Sequence, residues 1–163
     1  WFVENSAAGA AKGQTFTTGS LKVMLKSITY QVTASQKAEP TKTYVVRVGT
    51  VFSTLFTEVH RETATQTFTW TGAENMTWHL TTPVLLEANT VYAMDVGMTA
   101  STSAWQTGIP YINVGGNGYA GGARYYSGTS GVGTPQMTFT TTSDRIFHLD
   151  LDYLPHGFQL ILE

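Results

Sequence analysis

Apolar and polar residues alternate with a period of two along most of this chain. Leu21, Val23 and Leu25 share one face, and Ile28, Tyr30 and Val32 continue in the opposite phase. The reversal of parity near Lys26-Ser27 predicts a bulge or bend that keeps the apolar row pointing inward. Gln36–Thr41, with Pro40, reads as the following turn. Tyr44–Val51 is a dense β-branched run, the pattern of a central strand covered on both faces. Val51 to Val59 continues as strand or hairpin. Thr65–Trp70 sets Phe68 and Trp70 opposite Thr65, Thr67 and Thr69, and Met76, Trp78 and Leu80 alternate with Thr77 and His79. This alternation assigns Trp70 and Trp78 to the core. Pro83 punctuates the run, Val84–Leu86 adds a short strand, and Glu87-Ala88-Asn89 makes a turn. Tyr92, Met94, Val96 and Met98 form the next inward row. Near the end, Phe147, Leu149 and Leu151 lie on one face and His148 and Asp150 on the other.

Helix signals are thin. Only Ser6–Lys12 is alanine-rich enough, and Gly9 and Gly13 spoil it. Short strands at roughly ten-residue spacing with turn signals between them predict an all-β fold, an antiparallel two-sheet β-sandwich of jelly-roll type. No internal repeat or second domain is visible, so residues 1–163 read as a single β-sandwich module.

Composition narrows the function. The 163 residues carry a net charge of −2, only 12% are charged, and none is cysteine. There is no basic field for nucleic acid and no polybasic run for an anionic membrane. No apolar run approaches the roughly 18–20 residues of a membrane span, so no membrane insertion is expected. Disulfides, thiolate metal sites and cysteine nucleophiles are excluded. Abundant Thr, Gly and Ser with few Lys and Glu is the composition of an extracellular or cell-surface bacterial β-domain. The opening on Trp1 reads as a mature module or a piece of a longer protein.

The segment Trp105–Gly131 breaks the pattern with one Trp, four Tyr, two Asn and an Arg among glycines and serines. A loop that only connects strands uses small polar residues, because exposed rings invite sticking. Flat rings beside amide and guanidinium groups suit a pyranose, whose C–H face stacks while its hydroxyls hydrogen-bond. The candidate ligand-binding residues are therefore Trp105, Tyr111, Asn113, Asn117, Tyr119, Arg124 and Tyr126. In the bland alternative these rings fold back to cap the sandwich, with Tyr125 and Tyr126 as cap residues.

Catalytic chemistry is poorly represented. Glu58 with Glu62 and Asp150 with Asp152 are the candidate carboxyl pairs for glycoside hydrolysis, but acidic residues near strand ends are ordinarily solvated. Gly115-Gly116-Asn117-Gly118 lacks the strand–loop–helix setting of a phosphate cradle. His60-Arg61-Glu62 reads as a solvated, locally paired turn, with a sulfate or uronate contact through Arg61 as its functional alternative. His148, Asp150 and Asp152 lie at i, i+2 and i+4, and three side chains along one strand rarely converge on an ion.

Three passages carry a resemblance. They are GQTFTTGS (Gly13–Ser20) before a strand ending SITYQV, LLEANTVYAMDV (Leu85–Val96), and YAGGARYYSG (Tyr119–Gly128) followed by SDRIFHLDL (Ser143–Leu151). In this order they resemble bacterial secreted and surface jelly-roll modules of polysaccharide-degrading systems, similar in fold to carbohydrate-binding modules. The rings and hydrogen-bonding groups of the loop imply a polysaccharide or oligosaccharide as ligand and the carboxyl pairs imply no catalysis, while the resemblance implies a neighbouring catalytic or anchoring domain as partner. It requires no cofactor, and it implies a structural calcium, for which Asp150 and Asp152, with Glu4 and Asn5, are the candidate donors. Two competitors remain: a structural or adhesion module without sugar binding, and a small glycosidase or lyase domain.

Overall fold

A computed structural model describes residues 2–3, 12–33, 41–67, 72–98, 111–127 and 137–154. Eleven strands and no helix occur among them: β1 (Phe2–Val3), β2 (Lys12–Thr17), β3 (Val23–Thr33), β4 (Thr41–Phe52), β5 (Leu55–Thr67), β6 (Ala73–Leu86), β7 (Val91–Met98), β8 (Tyr111–Ile112), β9 (Arg124–Ser127), β10 (Met137–Thr140) and β11 (Phe147–Tyr153). They form two sheets, so the fold is an all-β sandwich. The wide sheet runs β10-β9-β2-β7-β4-β5, and the narrow one β11-β3-β6. Neighbours along both orders are antiparallel, while the short β1 lies parallel to the end of β7 and β8 pairs with the end of β3. The chain alternates between layers, with β4 paired to β5, β3 to β6 and β2 to β7 in nested fashion.

The parity reversal in β3 is a bulge, with the register to β6 shifting between Leu25 and Ser27. It lets Val23, Leu25, Ile28, Tyr30 and Val32 all point inward and be buried. Trp78 of β6 is fully buried against Tyr30 and Tyr44, both edge-on to its ring. Val46, Val48, Met94 and Val96 supply the facing layer. Fully burying each such side chain contributes about 1.5–3 kcal/mol.

Several segments differ from expectation. Thr65 and Thr67 belong to the end of β5, which runs unbroken from Leu55, and Phe68–Trp70 lie outside the described residues. Most of the expected turn, residues 36–40, also lies outside them, and Thr41 already opens β4. Pro83 does not end a strand: β6 continues to Leu86. Between His79 and Val84 the strand bulges away from β3, and there the missing N–H of proline breaks no ladder bond.

The alternate residues of β4 and β7 build a second, polar layer on the outer face of the wide sheet. Arg47 and Asp95, each 1% exposed, form a two-pronged ion pair at 2.7 and 2.8 Å. The Tyr125 hydroxyl donates to the same carboxylate at 2.6 Å, and the guanidinium carbon lies 5.2 Å from the centre of the Phe56 ring. Burial alone pulls the Arg47 proton affinity down, but Asp95 more than offsets this and the net shift is upward. Two glycines make room for the rings. A Cβ on Gly13 would sit 2.7 Å from the Tyr125 ring, and one on Gly49 2.5 Å from that of Phe56.

Candidate functional site

Neighbouring strands lie about 4.8 Å apart, so a narrow sheet of three strands cannot cover a wide sheet of six. Between β2 and β11 the sandwich opens into a cleft of about 710 Å³. Its floor is apolar, with Phe16 from β2, Val23 from β3, and Phe147, Leu149 and Leu151 from β11. The turn Thr17–Leu21 forms one wall and the glycine-rich segment up to Tyr119 another, while Thr18, Asp144, Arg145 and His148 bring polar groups to the lining.

A buried polar clasp holds the glycine-rich wall. Gln14, fully buried, donates from Nε2 to Asp144 Oδ1 at 3.0 Å and accepts the Arg145 amide on Oε1 at 2.9 Å. Asp144 Oδ2 accepts the Tyr119 amide at 2.9 Å, and the Asp144 carbonyl accepts the Gly115 amide at 2.9 Å. The Tyr119 ring stands edge-on to Phe147, with centroids 5.5 Å apart, and its hydroxyl accepts the Thr17 amide at 3.2 Å. Thr18 Oγ1 donates to the Glu87 carbonyl at 2.6 Å and pins the opposite wall. A wall held by this many bonds loses little freedom when something docks on it.

The sequence-selected residues do not converge on this cleft as a group. Tyr119 lines it. Asn117 is exposed on the glycine-rich segment, and Trp105 lies outside the described residues. The backbone of Tyr111 pairs with Thr33 in the narrow sheet. Asn113 donates from Nδ2 to Gln31 Oε1 and Thr33 Oγ1, which ties it to β3. Arg124 and Tyr126 stand on strand β9 where a loop was expected, because β9 pairs with β2 through Lys12, Gly13 and Gln14. Alternation then turns Tyr125 outward onto Asp95 and leaves Arg124 and Tyr126 on the inner side of the wide sheet. Sequence reasoning missed Arg145 and Phe147. The alternation of Phe147, Leu149 and Leu151 marked an apolar face, and nothing local showed that this face is only partly covered.

Charged clusters elsewhere are internally paired. Arg61 holds Glu58 at 2.9 Å, His60 lies 3.1 Å from Glu62, and Glu62 also accepts the Thr81 amide of β6. That last bond and one from Gln66 to the Thr77 carbonyl staple the far edge of the sandwich. Lys26 Nζ lies 3.0 Å from Asp152 and 3.5 Å from Asp150, and the hydrogen bond to Asp152 leads a rise in its pKa. These two carboxylates therefore hold an ammonium already. Calcium asks for six to eight oxygens, and the pair as arranged does not fit it. Glu4 and Asn5 lie outside the described residues. Among the described residues no group of three His, Asp or Glu is placed to hold a metal ion.

Comparison of the chain with protein-family models, with curated proteins and with solved structures returned no match.

Proposed function

We propose that the protein is a non-catalytic carbohydrate-binding module of a secreted or cell-surface bacterial protein, holding a neighbouring catalytic or anchoring domain against a polysaccharide. The observation that carries this reading is the cleft. At about 710 Å³ it falls within the ordinary range of small-ligand sites, about 300–1,000 Å³. It joins an apolar floor to hydroxyl, carboxylate and guanidinium groups and an aromatic ring on a pinned wall. A sugar ring has the same two-sided chemistry. The nested pairing of β4–β5, β3–β6 and β2–β7 supports a jelly-roll winding, as a long hairpin ribbon rolled on itself would give. Calcium has no part in this proposal.

The structural-module reading draws on a specific observation too. The Tyr119 hydroxyl is bonded to Thr17 and its ring rests on Phe147, as in a cap residue. Affinity electrophoresis through gels containing plant and algal polysaccharides separates the two readings. Retardation by at least one polymer is expected, unchanged by EDTA. Tyr119→Ala should lose about 1 kcal/mol of binding, roughly fivefold in affinity, with the fold checked by circular dichroism. Mobility unchanged across the panel overturns the binding reading and leaves the structural module.

A further inference from the structure

Arg124 and Arg145 come from different parts of the chain and meet at Gln14. Arg124 stands opposite Gln14 in the β9–β2 ladder, and the Arg145 amide is bonded to the Gln14 side chain. Arg145 Nη1 donates to the Ile112 carbonyl at 3.1 Å, which fixes the root of its guanidinium. The Nε–H of each arginine is buried, and neither has a hydrogen-bond partner among the described residues. No described carboxylate pairs with either. Asp144, the neighbour of Arg145, has its two oxygens committed to Gln14 and the Tyr119 amide.

Two partly buried cations near one another are unfavourable. Arginine cannot relieve this by losing its proton, because its pKa stays far above neutral. Burial pulls the Arg145 pKa down, and the Arg124 charge pushes the same way. An unpaired buried N–H adds its own cost. Lys12 extends the positive face, because it pairs with Tyr126 two residues along the same ladder and its side chain therefore lies on the Gln14 side. What these groups lack in common is an oxyanion, and a guanidinium fork matches a planar carboxylate or a sulfate. Arg145 also lines the cleft, which joins the positive face to the place where a sugar would lie.

We propose that Arg124 and Arg145 form an oxyanion subsite at the edge of the cleft, so that the preferred ligand is an acidic sugar carrying a uronate carboxylate or a sulfate ester. The proposal rests on the carbohydrate reading for its sugar and on the two arginines for its charge. Glucuronate, galactose 6-sulfate, glucose and inorganic sulfate are titrated into the full chain while the arginine Nε–H signals are followed by NMR. Arg124→Gln and Arg145→Gln assign those signals. Both should move with glucuronate or the sugar sulfate and stay still with glucose, and whichever acidic sugar moves them identifies the anion. Arg124→Gln, which removes no side-chain hydrogen bond to a described residue, should weaken that binding by about tenfold, and Arg124→Lys should recover only part.

Signals that ignore every acidic sugar overturn the subsite, even where a neutral polymer retards the protein in gels. A response to inorganic sulfate alone means an adventitious ion only, and overturns it equally. Signals that respond to acidic sugars while no polymer retards the protein uphold the arginine pair and refute the polysaccharide reading.

Discussion

Asp95→Ala is expected to destabilise the fold by about 3–5 kcal/mol, measured by urea unfolding. The carboxylate is buried, bonded twice to Arg47 and once to the Tyr125 hydroxyl. Its loss leaves a buried guanidinium without this counterion, and the ring of Phe56 returns only part of the deficit. Replacing Arg47, Asp95 and Tyr125 together by Met, Leu and Phe should recover most of the loss, because an apolar layer needs no such pairing. A loss below about 1 kcal/mol for the single variant would mean the pair behaves as a solvated surface bridge, against the burial of both its groups.

Alkaline unfolding should be equally pronounced. Burial raises the pKa of Tyr30, of Tyr44 to about 12, and of Tyr125, with the Asp95 charge adding to the effect at Tyr30 and Tyr125. The Tyr30 hydroxyl also donates to the Met94 carbonyl at 2.9 Å, a bond that needs its proton. These phenols keep their protons in the folded chain after the unfolded chain has begun to release its own near pH 10. The unfolded state then binds fewer protons, so stability falls as pH rises. The contribution is intact below pH 10 and is lost at about 1.4 kcal/mol per pH unit for each tyrosine above it. Three together can unfold the domain within a narrow range of pH. Tyrosinate absorbance should report Tyr30, Tyr44 and Tyr125 ionising only as circular dichroism reports unfolding. A smooth titration of all eight tyrosines with the sheets intact would refute the burial of these rings.

The strands legible in the sequence were those whose partners matter least. The parity switch at Lys26-Ser27, the doubly covered β4 and the hairpin after Val51 all follow from side-chain alternation, which is local. β9 did not, because YAGGARYYSG carries the glycines of a loop and becomes a strand only by pairing with Lys12–Gln14. The site suffered more. Ring count pointed to a segment whose Tyr119 lines the cleft, but alternation cannot tell which apolar face is left uncovered. That depends on the relative width of two sheets, which no window of sequence contains. Arg145 was passed over for the same reason: its importance comes from Arg124 and Gln14, both far away along the chain.

The Gln14–Asp144 bond joins residues 130 positions apart, and this has a kinetic consequence. Among the described residues β2 finds its ladder partners in β7 and β9, so during synthesis it waits for most of the chain to emerge. Contacts of such high order slow folding toward the millisecond-to-second range. Until Asp144 arrives, the Gln14 amide has no acceptor there, and the edges of β2 stay open to wrong pairings. One of the first strands to be made is thus among the last to be secured.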